Sequence, residues 1–309
     1  MARELVLKAG EVDVRGIVSI NRQSAGDKLR AYLKKPASFV LFLLICLAAA
    51  LTAGAVLWVL GYTIVQGVIN LRLDLFAWKW TADNLSMMPA LINTLVIALL
   101  SLLIAGVIGI FAAIFMVEYA KSTHVFVKVI RVAAETLASI PSIVYGIFGM
   151  IFFTLLFGWG YCLLAGALTM ALMIMPTIMR TTEEALLAVP ASFREGSYAL
   201  GAGKLRTIFV IILPSAIPGI ISGVILGLGR VVGETMALVF TAGSAFNIKR
   251  PAGPMSQGCT LTVYMYSIIS ENPSEYAGVA WAIAVVLILL TILINGAAEL
   301  IGNKLKKEY

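Results

Sequence analysis

The chain has 309 residues, of which 61% are hydrophobic and only 13% are charged, and its formal net charge at pH 7 is +7. Soluble domains carry about 25% charged residues, so this composition excludes an ordinary soluble protein and predicts one whose solvent is lipid. The three cysteines are scattered along the chain, which excludes a disulfide framework and a cysteine metal site.

Six apolar segments follow one another along the chain. They lie near residues 38–69, 90–117, 136–157, 161–179, 208–229 and 277–301. Each is long enough to cross a hydrocarbon core of about 30 Å as a helix. Because every backbone amide must be paired inside such a core, helices are expected rather than open strands. The sequence therefore predicts an all-α integral membrane protein with six transmembrane helices.

Lysine and arginine are distributed unequally between the two sides of this arrangement. Eighteen of the 23 lie before residue 38, in the second-to-third and fourth-to-fifth connections, or at the C-terminal end. Since Lys and Arg concentrate on the cytoplasmic side, we expect a multi-pass protein of the cytoplasmic membrane with both termini in the cytoplasm. The same bias accounts for most of the net charge, so no nucleic-acid partner is expected.

The chain is expected to divide into four parts. A basic cytoplasmic tail (1–37) precedes the first transmembrane helix and an outer loop (38–87). A core with transmembrane helices two to six (88–302) and a short cytoplasmic tail (303–309) follow.

Two features predict how the core helices bend and pack. Pro141 lies inside the third apolar segment, where proline removes a backbone hydrogen bond and kinks a helix. Gly219, Gly223 and Gly227 recur every four residues in the fifth segment, a spacing that lets two helices approach closely.

Arg230 and Glu234 are ionisable residues at the end of the fifth apolar segment. Four residues apart on a helix, they would share a face and form a structural ion pair. Charges within a membrane usually face a bundle interior and carry function, and a guanidinium suits oxyanion geometry. Arg230 is therefore a candidate for a substrate path as well, and the sequence leaves both interpretations open. Arg131 and Glu135 repeat the spacing and are interpreted as a structural pair.

The polar stretch at residues 181–207 contains a spaced motif that continues into the fifth segment. Its members are Glu195, Gly196, Ser197, Ala199, Leu200, Gly201, Ile211, Leu213 and Pro214. The spacing resembles the cytoplasmic coupling loop of ABC-importer permeases, which reads Glu-Ala-Ala, three residues, Gly, nine residues, Ile-x-Leu-Pro. Gly196 and Ser197 replace the two alanines. The resemblance implies a coupling helix around residues 191–200 that docks on a separate ATPase.

A wider set of residues resembles the phosphate-specific ABC importer permeases, and the C-terminal part resembles their PstA-type subunits. The matching residues are 182–186, 190, 194–195, 199–202, 213–214, 218–220, 230 and 233–235, with 139–146 in the third segment and 260–264 and 280–281 near the C-terminus. The resemblance covers roughly residues 88–302. It implies a type I ABC importer permease fold and import of inorganic phosphate by alternating access.

The resemblance also implies partners, besides the lipid bilayer. These are a second, PstC-type permease, two PstB-type ATPases and an extracytoplasmic PstS-type phosphate-binding protein. The chain lacks the Gly-x-x-x-x-Gly-Lys-Ser/Thr sequence that cradles nucleotide phosphates. We therefore expect a transport subunit that is not itself an enzyme and binds no cofactor or metal, with ATP and Mg held by the ATPase subunits.

Three alternatives remain at this stage. The substrate could be another oxyanion such as sulfate or molybdate. A secondary anion transporter would need an ion-coupling site, commonly built from broken helices in inverted repeats. A membrane scaffold would use the charged loop only to hold a partner.

Overall fold

The computed structural model describes residues 36–120, 125–245 and 253–305, and these residues form helices and turns without any strand. The predicted tails, residues 1–37 and 303–309, lie mostly outside this range. The chain divides into two compact units, residues 1–61 and residues 62–309.

The helices of the described residues are numbered in chain order. They are α1 (Pro36–Asn70), α2 (Met88–Ile114), α3 (Val125–Ser139), α4 (Ser142–Gly149), α5 (Leu163–Ala188), α6 (Ala191–Ala199), α7 (Lys204–Thr207), α8 (Leu213–Gly233), α9 (Met236–Thr241), α10 (Leu261–Glu271) and α11 (Pro273–Leu305). Wider π-helical turns extend α2 over Phe115–Tyr119 and α4 over Met150–Leu156, and another joins α7 to α8 over Ile208–Ile212.

Five stretches of the described residues are each long and apolar enough to cross a membrane as one helix. They are Ala37–Asn70, Met88–Tyr119, Leu163–Ala188, Lys204–Gly233 and Pro273–Gly302. Val125–Ser139 and Ser142–Leu156 pass the same test only together, and they are bent by 101°. The predicted all-helical membrane protein is therefore confirmed within the described residues, with five continuous candidate spans, or six if the bent pair forms one span.

The third apolar segment differs from the single kinked helix that the sequence predicts. Helix α3 ends at Ser139, and Pro141 has φ −58° and ψ 141°, so it precedes α4 instead of lying inside a helix. Proline donates no backbone hydrogen bond and disfavours helical geometry in the residue before it, so the chain turns here. The expected kink is a complete break.

Helix α5 lies at the centre of the second compact unit and packs against α2 and α8. Small residues allow the close approach, among them Ala167 and Ala171, which are buried. A side chain added at Gly109 of α2 would place its Cβ 3.3 Å from the carbonyl oxygen of Met175 in α5. Since lipid is as apolar as the helix surfaces, such close packing is the main source of helix association in a membrane.

The segment before α10 covers the N-terminal ends of α2 and α5. Leu163 and Leu164 donate their backbone N–H groups to the carbonyls of Ser256 (3.0 Å) and Pro254 (2.7 Å). The Thr94 hydroxyl accepts from the N–H of Leu261 at 2.9 Å. Because the first amides of a helix have no partner within the helix, these bonds satisfy groups that would otherwise be unpaired. They also hold α5 in position.

Candidate functional site

The predicted coupling motif begins on a short helix, α6, between α5 and α7. Glu195, Gly196 and Ala199 are exposed, and the side chain of Leu200, just past the helix end, is 90% exposed. Because Leu200 is so exposed, its apolar side chain is accessible to a partner protein. Gly201 follows with φ +80°, and its N–H donates to the Tyr198 carbonyl at 2.9 Å.

The motif residues separated in sequence meet at one cleft. Ser197 is buried, and its Oγ lies 2.8 Å from Oγ1 of Thr207 in α7. The cleft has a volume of about 330 Å³, and its lining includes Leu200, Gly201 and Ile211. The hydroxyl pair fixes α6 against α7, and the substitution of serine for alanine at position 197 supplies one of its two partners.

Leu213 and Pro214 form the first turn of α8. They lie just beyond the π-helical turn that contains Ile211, and both are partly buried. The chain is helical on both sides of Pro214, because Lys204–Gly233 forms one continuous span. Proline donates no backbone hydrogen bond, and in this span it lies directly after the wider π-helical turn.

A second contact of α6 involves Glu118, which the sequence did not indicate. Arg194 donates from Nη2 to Oε1 of Glu118 at 2.8 Å and from Nε to the same oxygen at 3.1 Å. The same guanidinium donates to the carbonyls of Val189 and Leu186, both at 2.9 Å. Glu118 lies in the π-helical turn that ends the second span. Its separation of 76 residues from Arg194 left no local spacing that could reveal the pair.

The glycine stripe of α8 faces α5 along its whole length. A Cβ built at Gly219 would lie 2.5 Å from Cβ of Ala185, and one at Gly223 would overlap Oγ1 of Thr181. A Cβ at Gly227 would lie 3.5 Å from Ile178. The absent side chains thus let α8 pack closely on the helix that leads into α6.

The structure does not bring Arg230 and Glu234 together as an ion pair. Helix α8 ends at Gly233, and Glu234 has an extended backbone with φ −78° and ψ 135°, so the expected helical spacing is not formed. Glu234 instead accepts from the N–H of Ala237 in α9 at 3.3 Å. Arg230 is exposed, and its Nη1 lies 3.4 Å from Oγ1 of Thr177 in α5. None of the ion pairs among residues 36–120, 125–245 and 253–305 includes Arg230.

The predicted pair between Arg131 and Glu135 is also replaced by contacts between helices. Arg131 of α3 binds Glu183 of α5, with Nε 2.7 Å from Oε1. Arg180 of α5 lies between two carboxylates, 3.8 Å from Glu135 and 3.2 Å from Glu184. Because α3 turns away from α4 at the break, its charged face lies against α5 instead of pairing internally. Within the described part of the chain, no three His, Cys, Asp or Glu side chains are grouped as a metal site requires.

Residues 105–307 match the protein family described as "Binding-protein-dependent transport system inner membrane component". A probable ABC transporter permease protein of Bacillus subtilis, YqgI, is 34% identical over 282 residues, covering 85% of this chain and 94% of the relative. The phosphate transport system permease protein PstA of Haemophilus influenzae is 32% identical over 248 residues, covering 77% of this chain and 84% of the relative.

Solved structures with a similar fold are more distant in sequence. A chain of the MetNI methionine ABC transporter in an inward-facing conformation has a TM-score of 0.55 and 20% identity, covering 80% of this chain and 98% of that one. A chain of a bacterial ABC transporter involved in import of the acidic polysaccharide alginate has a TM-score of 0.56 and 15% identity, covering 90% and 100%. At these identities the likeness concerns the fold alone.

Proposed function

Since this chain belongs to the family of binding-protein-dependent transport inner membrane components, we propose that it is the permease through which an ATP-driven importer moves inorganic phosphate. Members of this family form the membrane-spanning part of ABC importers, which work with ATPase and substrate-binding subunits, and they are not enzymes themselves. The type I importer permease fold is that of the similar solved structures. The choice of phosphate is the proposed step.

The exposed guanidinium of Arg230 is the observation that carries this proposal. Its contact, Thr177, lies near the middle of the 26-residue span α5, so Arg230 is far from either end of that helix. A charged side chain in contact with hydrocarbon costs up to about 2.5–3.5 kcal/mol or more at the bilayer centre, which favours a polar environment for Arg230. A polar path between this chain and a second permease would remove that cost.

An anion in transit would supply the negatively charged partner that Arg230 lacks among the described residues. Guanidinium groups donate two parallel hydrogen bonds to tetrahedral oxyanions, and the Thr177 hydroxyl adds a third polar group. The phosphate transport permeases among the relatives support phosphate over other oxyanions. In this proposal the other permease is PstC-type and the binding protein PstS-type.

The contacts of α6 suggest how ATP would drive this path. Two PstB-type ATPases, holding ATP and Mg, would dock at α6 and Leu200 on the cytoplasmic side, where both termini would also lie. Displacement of α6 would pass through Arg194 to α2 and through the preceding turn to α5. Because α8 packs closely on α5, the two helices would move together and carry Arg230 with them.

Uptake by the reconstituted transporter tests the proposal. Vesicles containing both permeases, the ATPases and the binding protein should accumulate labelled phosphate only with ATP, and excess sulfate or molybdate should not compete. Arg230→Gln should lower uptake at least about tenfold, the loss of one charge-assisted contact of about 1.4 kcal/mol or more. Arg72→Gln, at an exposed arginine far from α8 in sequence, is the control. Uptake without ATP, or of another oxyanion in preference, would contradict the proposal.

A further inference from the structure

A charged cavity lies between α3 and α5, at the end of α5 that leads into α6. Its volume is about 460 Å³, and its lining includes both partners of each ion pair between α3 and α5. The charged residues in that lining are Arg131, Glu135, Arg180, Glu183 and Glu184. Such a cavity is large enough for a small polar ion with its hydrating water.

The two arginines of the cavity differ in how firmly they are held. Arg131 binds Glu183 through two nitrogens, and the Glu183 side chain is only 10% exposed, so this pair forms part of the wall. Arg180 is 62% exposed and lies 3.8 Å from Glu135 and 3.2 Å from Glu184. Exposed pairs contribute about 0.2–1 kcal/mol, so a ligand can displace these contacts.

The cavity adjoins Arg230 through one shared neighbour, Thr177. Thr177 lines the cavity and also lies 3.4 Å from Nη1 of Arg230. Thr177 and Arg180 are three residues apart on α5, so their side chains lie on one face of the helix. An anion leaving Arg230 in the direction of α6 would meet Arg180 next.

The charge balance of the cavity restricts which anion it accepts. With Arg131 and Glu183 neutralising each other, one arginine and two carboxylates remain, so the lining repels a fully ionised oxyanion. Inorganic phosphate retains a proton at neutral pH, and its O–H can donate to a carboxylate while its other oxygens accept from Arg180. Sulfate and the phosphodiester of a lipid headgroup carry no such proton.

We propose that this cavity is an inner binding site for a protonated oxyanion. Arg180 donates hydrogen bonds to the ligand, and the carboxylates of Glu135 and Glu184 accept a hydrogen bond from its O–H group. The site rests on the proposed function, because its ligand is the phosphate arriving from Arg230. It would distinguish phosphate from sulfate at a second point along the path.

Broadening of the ³¹P resonance of inorganic phosphate measures this binding in the full-length chain, held in phosphatidylcholine nanodiscs. The Arg230→Gln background removes the first contact. In this background the phosphate resonance should still be broadened by the protein. Neither sulfate nor dimethyl phosphate should reverse the broadening by competing with phosphate for the cavity. Arg180→Gln should weaken binding at least about tenfold, as expected for loss of a charge-assisted hydrogen bond, whereas Arg180→Lys should retain part of it. Lys128→Gln, at an exposed lysine of α3 outside the lining, should match the parent.

The carboxylates are tested by a double substitution. Glu135→Gln with Glu184→Gln should let sulfate compete with phosphate, since the repelling charges are gone. Two results would overturn the inner site. One is that sulfate competes equally well with phosphate when Glu135 and Glu184 are unchanged. The other is that monodisperse Arg180→Gln protein broadens the phosphate resonance as much as the parent does. Competition by dimethyl phosphate would assign the cavity to lipid headgroups and overturn it too. The proposed function is decided separately by uptake in the assembled transporter, which can succeed when the inner site fails.

Discussion

Arg194 lies 2.8 Å from Glu118, and this contact joins α6 to the end of the second span. The Glu118 side chain is only 5% exposed, and the same guanidinium also binds the carbonyls of Leu186 and Val189. One side chain therefore links α6 to α2 and α5. Removing one partner of a buried ion pair costs about 3–5 kcal/mol because the other charge is left unpaired, so we expect this contact to hold α6 firmly against the two spans.

Arg194→Gln should uncouple α6 from the two spans. In the assembled transporter we expect the amount of phosphate moved per ATP hydrolysed to fall at least about tenfold. The substitution removes contacts worth more than about 1.4 kcal/mol, and that free energy corresponds to a factor of ten. Arg194→Lys should be intermediate because one ammonium cannot reach all three acceptors. Lys128→Gln controls for loss of a cation. An unchanged transport ratio in Arg194→Gln, at matched membrane abundance, would rule out the transmitting role.

Gly201 is required by its backbone conformation, because its φ is +80°. An added Cβ would meet no other atom within 4 Å, so any cost of a side chain here comes from the backbone conformation and not from a clash. Gly201→Ala should destabilise the turn after α6 by about 1–2 kcal/mol, the cost of a left-handed residue with a Cβ. Gly201→Asn should cost less. Gly203→Ala, at φ −72° and also in open space, is the matched control. Thermal unfolding of the purified variants measures the difference, and equal effects at 201 and 203 would refute the conformational explanation.

Gly223 permits the close approach of α8 to α5. Gly223→Ala should overpack the interface against Thr181 and destabilise the protein by about 1–3 kcal/mol. Thr181→Ala should recover part of the loss. Gly229→Ala places its Cβ in open space on the same helix and should be neutral or slightly stabilising. If both glycine substitutions give the same midpoint in thermal unfolding, the close contact does not determine stability.

The predicted orientation can be tested at two exposed side chains. Met255 is 54% exposed and Leu200 is 90% exposed, and the Lys and Arg distribution places them on opposite sides of the membrane. In a background without Cys46, Cys162 and Cys259, Met255→Cys should react with an impermeant maleimide in intact cells. Leu200→Cys should react only after permeabilisation. The reverse pattern would invert the topology.

Cys259 should be almost unreactive in the folded protein. Burial raises the pKa of its thiol from 9.0 to about 12, which lowers the thiolate fraction at pH 8 by about a thousandfold. Because the folded state holds the proton more tightly, this contribution to stability is complete below pH 9.0 and disappears as the pH rises through about 12. Alkylation at pH 8 should require denaturation, whereas the exposed Met255→Cys thiol should react at once. Rapid labelling of native Cys259 would contradict this burial.

The sequence by itself determined five of the candidate membrane-spanning helices and the family. A hydrocarbon core leaves backbone amides no partner but their own helix, so length and apolar composition alone predict the spans. The spacing of Gly201, Ile211 and Pro214 could suggest a coupling motif because these residues lie in one continuous stretch, and their coupling role stays a prediction. The glycine stripe indicated a close helix contact, although not that α5 is the helix it faces.

Only the tertiary structure decided which charges meet. The four-residue spacing suggested pairing of Arg131 with Glu135 and of Arg230 with Glu234. The structure pairs Arg131 with Glu183 of another helix and ends α8 at Gly233, before Glu234 can join the same face. Spacing predicts a pair only while one helix continues through both residues. A proline break, a helix end or a contact between distant segments is set by packing, which local sequence does not contain.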